Sequence, residues 1–329
     1  MRAGGPLPSV LLIRLSSLGD VAIALPIAAG LVARGHQVGW LVEERCASLL
    51  EQLAFPLQVH VWRRGLLGRF ALRGLGAQYD LVCDLQGNAK SGFVASGLGA
   101  DCIIGLGAGD VRERSNLLFS DERAPNCEDP HVLARSLGVV AHALGEKLGA
   151  ADLPLPPFLK AREAEVARLR RLLAPEAKYA LVLGQPGDPR RIPGPLLEDL
   201  AQALGPAAFL LAGPGERSLH VPAGIPCLRQ GGDIAELVAV GALLRQRQGR
   251  ALGHDSGALH VLRATGVDTR FVFGPQDPAR TGPFAEDVLV ADMELECRPC
   301  LRRHCEHPRG PVCMSELRFE QLFAALRGS

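Results

Sequence analysis

The sequence predicts an α/β protein built from two Rossmann-like domains, and three observations carry that prediction. Short apolar runs alternate with helical stretches along the whole chain, a pattern that gives parallel sheets covered by helices on both faces. At 329 residues the chain is too long for one ordinary core, and 47% apolar content supplies two. Between the halves lies Leu153-Pro154-Leu155-Pro156-Pro157, too proline-rich to continue a helix and therefore read as a linker. Ligands in such folds sit beyond the carboxyl ends of the strands, here in an expected cleft between the domains.

In the first half, Val10–Leu15, Val38–Val42, Leu57–Val61, Leu81–Leu85 and Cys102–Ile104 read as strands, with a helix from Val21 to Leu31 after the first. The second half opens on a charged helix, Ala161 to Leu173. Its strands read as Tyr179–Leu183, Ala207–Leu211, Arg250–Leu252, Phe271–Phe273 and Val288–Val290. From Ser315 onward, Phe319, Leu322, Phe323 and Leu326 fall at helical spacing, which makes the tail an amphipathic helix.

Two turns carry chemistry. Gly253 to His260 reads G-H-D-S-G-A-L-H, with a helix expected from Gly257 to Thr265. An Asp-Ser-Gly turn there places N–H groups and a hydroxyl at a helix N-terminus, which suits a phosphate or diphosphate. An N-cap role for Ser256 explains the same residues. After the first strand, Ser16-Ser17-Leu18-Gly19-Asp20 sets a carboxylate at a strand's carboxyl end, where a general base is wanted. An N-cap aspartate is the competing reading. No G-x-G-x-x-G follows that strand, which counts against a dinucleotide cofactor.

Composition excludes several classes. A formal net charge of +1 argues against a dedicated nucleic-acid binder. No apolar run reaches the length of a membrane span. The first residues lead straight into a strand, so no signal peptide and a cytoplasmic location are expected. Of nine cysteines, five are scattered singly and fit a reducing compartment. Cys297, Cys300, Cys305 and Cys313 are spaced C-x2-C-x4-C-x7-C, with His304 and His307 among them. Structural zinc, an iron–sulfur cluster, disulfides and free thiols all fit that spacing, and no metal is assigned to the site.

Taken in order, a set of short segments resembles the bacterial heptosyltransferases, which are family 9 glycosyltransferases. The segments are S-S-L-G-D ending at Asp20, W-L-V-E-E from Trp40, D-L-Q-G-N-A-K-S from Asp84, Arg112-Glu113 and His131. They continue with G-P-G-E from Gly213, D-S-G-A-L-H from Asp255 and F-G-P-Q-D-P-A-R from Phe273. The resemblance implies a GT-B fold, with an acceptor domain over 1–157, a nucleotide-sugar domain over 158–313, and a C-terminal helix, 314–329, returning to the first domain. It implies inverting, metal-independent transfer of heptose from ADP-heptose to the lipopolysaccharide inner core. Asp20 matches the family's general base, and Lys90, Arg112 and His131 match residues that approach the acidic acceptor. Asp255, Ser256, Gly257 and His260 match the donor-sugar and diphosphate turn, and Glu216 matches a ribose contact. The implied partners are a nucleotide-sugar donor and an anionic lipid-linked saccharide, with no organic cofactor.

Three features depart from that pattern or add to it. In the loop from Gly184 to Pro193, Pro186 and Gly187 replace small hydroxyl residues, and Arg190 takes a lysine's place. Arg190 can still clamp phosphate, bidentately, though the swap is not neutral. The run from Leu244 to Arg250 is unusually polar, and His254 is assigned no role. Trp62 to Arg73 carries Arg63, Arg64, Arg69 and Arg73 without an acid, which suits attraction to an anionic acceptor or peripheral contact with the inner membrane. Two alternatives remain beside the heptosyltransferase reading. One is a family 9 enzyme with another sugar nucleotide or acceptor, and the other is a non-catalytic nucleotide-sugar binder.

Overall fold

A computed structural model describes residues 6–216, 219–221, 223–283 and 288–328. The chain divides into two compact units between Phe158 and Leu159, after the proline-rich segment. Each unit is built on a six-stranded, wholly parallel sheet.

In the first unit the strands are β1 (Val10–Ile13), β2 (Val38–Glu43), β3 (Gln58–Trp62), β4 (Leu81–Asp84), β5 (Ile103–Gly105) and β6 (Glu122–Arg123). Their order is β3-β2-β1-β4-β5-β6. The second unit repeats it with β7 (Tyr179–Val182), β8 (Ala208–Ala212), β9 (Cys227–Arg229), β10 (Arg250–His254), β11 (Asp268–Phe273) and β12 (Val288–Val290), ordered β12-β11-β10-β7-β8-β9. The strand order reverses beside β1 in one sheet and beside β7 in the other, so each sheet has one crevice at the carboxyl ends of its central strands. The segments after β1, β4 and β10, ending at Asp20, running from Asp84 and running from Asp255, lie at those crevices. Each unit on its own is Rossmann-like.

The central strands are buried on both faces, β1 completely, which is why they read as continuous apolar runs rather than alternating ones. β6 and β9 escape the sequence reading. Each has only two or three residues, and each is defined by pairing at a sheet edge rather than by its own apolar pattern.

The amphipathic tail forms the helix Phe319–Arg327, and its position corrects the expected return to the first unit. It packs within the second unit, where Leu322 and Leu326 join Leu197, Leu200, Leu210 and Leu252 in one core cluster. Burying each leucine contributes roughly 2 kcal/mol. Its last carbonyls are also satisfied there: Arg250 Nη1 donates to Leu326 O at 2.6 Å and Arg270 Nε to Ala325 O at 3.2 Å. An apolar stripe and two arginines on β10 and β11 thus hold the helix where it lies.

The polar run before β10 has a structural explanation as well. Arg247 Nη1 donates to the carbonyls of Ala174 and Ala177, at 3.0 and 2.6 Å, and Arg170 reaches Gln246 Oε1 at 2.7 Å. These contacts tie the helix Ile234–Gln246 to the helix Glu163–Leu172 and its following turn. Among the described residues, no helix is long and apolar enough to cross a membrane.

Candidate active site

The helix Leu18–Ala33 begins directly after β1, and Asp20 stands in its first turn. Asp20 Oδ2 accepts from the Ser17 N–H at 2.9 Å and from Ser17 Oγ at 2.8 Å. Its other oxygen, Oδ1, pairs with Arg14 Nη2 at 2.9 Å. Ser17, not Asp20, is the N-cap, and Asp20 closes the capping box from the first turn while keeping 24% of its side-chain surface open. Burial pushes the Asp20 carboxyl up, but the Arg14 charge and the Ser17 hydrogen bonds outweigh it and hold it below the usual carboxylate range. Asp20 is an ionised acceptor at neutral pH.

The neighbouring segment, after β4, is stitched to this turn. Gln86 Oε1 accepts from the N–H groups of Leu15 and Ser16 at 2.7 and 3.2 Å. Lys90 Nζ donates to Ser16 Oγ at 2.8 Å and to Glu43 Oε2 at 2.7 Å. Glu43 is a buried carboxylate at the end of β2 that also meets Arg64 and Arg45. Asp84 is fully internal and accepts from Ser91 Oγ, Asn116 Nδ2 and the Gln86 N–H, fixing the loop from below. Sequence reading missed Gln86, Glu43 and Asp84 as site-building residues, although all three lie inside the motif segments.

The remaining acceptor candidates lie close by with different duties. The Arg112 N–H donates to Gly87 O at 2.9 Å, and its side chain is exposed. Gly87, at φ 65°, needs glycine's freedom to make that turn. His131 is buried and caps the helix Val132–Leu144, with Nδ1 accepting from the Leu133 N–H at 3.1 Å. The same helix reaches β4 through Ser136 Oγ, which donates to Leu85 O, the carbonyl that Arg14 also binds. Asp20 and Lys90 are thus brought together directly at Ser16–Ser17, Arg112 through Gly87, and His131 only through the Leu85 end of β4.

In the second unit, a cavity of about 290 Å³ opens at the carboxyl ends of β7, β8, β9 and β10. Arg190, Glu216, Ser256 and Gly257 line it, as do Gln185, Asp188, Gln230 and His254, which sequence reading did not select. Ser256 caps the helix Gly257–Ala264, with Oγ accepting from the Leu259 N–H at 3.4 Å. Here too a cap and a ligand turn coincide. Asp255 and His260 are not lining residues. Asp255 Oδ1 lies 2.9 Å from His260 Nε2, Thr281 Oγ1 donates to Asp255 Oδ2 at 3.3 Å, and His260 packs on Phe271. In this structure these contacts brace the Ser256–Gly257 turn.

The departing loop closes on itself. Arg190 grips Asp188 through Nε and Nη2, the latter at 2.7 Å, and its Nη1 donates to Asp255 O at 3.0 Å. The substituted arginine is therefore charge-paired rather than free. Glu216 is buried at the cavity wall, and burial raises its carboxyl above the usual range.

These two sites permit comparison with known proteins. The profile of Glycosyltransferase family 9 (heptosyltransferase) matches residues 69–185. Over that segment the chain is similar to glycosyltransferase family 9. The chain is 28% identical over 324 residues to Lipopolysaccharide heptosyltransferase 1 of Pseudomonas aeruginosa, covering 91% of this chain and 87% of that one. Its fold matches the family 9 glycosyl transferase of Veillonella parvula with a TM-score of 0.75 at 16% identity, over 98% of this chain and 96% of that chain. It also matches E. coli heptosyltransferase WaaC with ADP-2-deoxy-2-fluoro heptose, with a TM-score of 0.66 at 20% identity, over 97% and 99%. At those identities the two solved structures establish the fold.

The cysteine cluster is partly assembled. Cys297, Cys300, Cys305 and Cys313 line one small cavity with His304 and His307, and all are free thiols. Among the described residues, no three Cys, His, Asp or Glu side chains are grouped as a metal site. Burial, reinforced by the neighbouring thiols, pushes Cys313 up to about 11.

Proposed function

We propose that this glycosyltransferase moves heptose from ADP-heptose to the lipopolysaccharide inner core with inversion. The observation that carries the reading is the pairing of an ionised carboxylate at the β1 crevice with a diphosphate-sized cavity at the β7–β10 crevice. Transfer passes through an oxocarbenium-like state, and an inverting step needs one base to take the acceptor's hydroxyl proton as the diphosphate leaves. Asp20 fills the first role. The Ser256–Gly257 turn fills the second, because N–H groups at a helix start stabilise charge that develops on the leaving diphosphate. In this reading the step uses no metal and no organic cofactor. The exposed Arg112 offers the Asp20 crevice positive charge for an anionic acceptor, while Lys90 is paired with Glu43.

Calorimetric titration with ADP, UDP, GDP and dTDP tests the donor half. Selective binding of ADP is expected. Preference for another diphosphate would keep the fold and overturn the donor, and binding of none would point to a degenerate donor site and set the enzyme reading aside.

Peripheral contact with an anionic membrane belongs to the same proposal. Leu67 and Phe70, on the helix Leu66–Phe70, are 86% and 63% exposed, beside Arg69 and Arg73. Arg63 and Arg64 contribute less charge than their sequence implies, because they pair with Glu44 and Glu43. Replacing Leu67 and Phe70 by serine together with Arg73→Glu should lower co-sedimentation with anionic vesicles. Unchanged sedimentation would remove the membrane from the account.

A further inference from the structure

His254 ends β10 immediately before Asp255 and lines the β7–β10 cavity while only 4% exposed. Its Nδ1 is buried and has no hydrogen-bond partner. Buried polar atoms in folded proteins are nearly always paired, so an orphan on a cavity wall calls for a missing partner. Two of the charged side chains beside it are already engaged. Arg190 is held by Asp188 and the Asp255 carbonyl, and Asp255 by His260 and Thr281.

The chain also keeps space for this ring. A Cβ at position 184 would come within 2.9 Å of His254 Cε1, so Gly184, at the end of β7, leaves the imidazole in place. Burial, aided by the Arg190 charge, pushes the imidazole down to about 4. At neutral pH the ring is therefore uncharged, with one N–H to donate and one lone pair. Diphosphate oxygens only accept, and an imidazole N–H is a fitting donor to them.

We infer that His254 is a donor-binding residue whose imidazole hydrogen-bonds a diphosphate oxygen of the nucleotide sugar, the role the sequence gives to Arg190. The inference rests on the cavity being the nucleotide-sugar site. It deepens that reading by assigning the contact to a residue that no motif marks.

Nitrogen-15 NMR of the histidine rings tests it in the intact protein, with His254 assigned by its loss in His254→Asn. ADP and inorganic pyrophosphate should both move the His254 ring resonances, and adenosine should not. His254→Phe should weaken ADP binding by roughly tenfold or more, and His254→Asn, which keeps an N–H donor, should recover most of that loss. ADP binding that leaves the His254 signals in place, or a response to adenosine alone, would overturn the inference. The wild-type spectra decide this even if the phenylalanine variant does not fold. If ADP fails to bind while pyrophosphate still moves His254, the anion contact stands and the donor reading falls.

Discussion

Asp20→Asn should lower kcat by about a thousandfold while leaving ADP affinity within about twofold, because it removes a proton acceptor and no part of the donor cavity. The substitution is chosen to spare the fold. Asparagine keeps an oxygen to accept from Ser17, whose N–H and Oγ both bind Asp20 in the wild type. It does leave the buried Arg14 without its counter-charge, so part of any loss could arise from a displaced turn. Thermal melting of the variant and an unchanged ADP titration separate the two causes. The pH profile is a second readout. A carboxyl held below the usual range stays ionised as pH falls and gains its proton only on passing that lowered value. No Asp20-dependent fall in kcat/KM is therefore expected between pH 8 and 5, and an acid limb near neutrality would point to another base.

Ser256→Trp should abolish measurable ADP binding, a loss of at least about a hundredfold, because the indole would fill the space at the Gly257 helix start that the proposed function gives to the diphosphate. The residue has two duties, and a control divides them. Ser256→Ala removes only the cap to the Leu259 N–H, at a cost of about 1 kcal/mol in stability, and leaves the cavity open. The alanine variant should melt earlier yet bind ADP nearly as the wild type does. If alanine and tryptophan weakened binding equally, the cap rather than the cavity would be the source of the effect.

Both fold and site were legible where chain-local chemistry sets them. Alternating apolar runs marked the strands of both sheets apart from β6 and β9, because strands buried on both faces leave a continuous apolar signature. Asp20 and Ser256 stood out because a strand–turn–helix junction with a carboxylate or hydroxyl is visible in a short window. What could not be read was pairing across distance. The pairing of Arg190 with Asp188 and the bond between Asp255 and His260 are set by the fold, not by neighbouring residues in the sequence. The destination of the final helix depended on Arg250 and Arg270, dozens of residues away, supplying donors for its last carbonyls. His254 was invisible for the same reason: an unpaired atom shows only when everything around it is placed.

The most direct test of the central claim is transfer itself, with ADP-heptose and Kdo-bearing lipid A supplied to wild type and Asp20→Asn side by side. The account predicts a single heptose added by the wild type, with the anomeric configuration opposite to the donor's, and almost none added by the variant. A wild type that binds ADP yet transfers nothing, a product of retained configuration, or a variant as active as the wild type would contradict it.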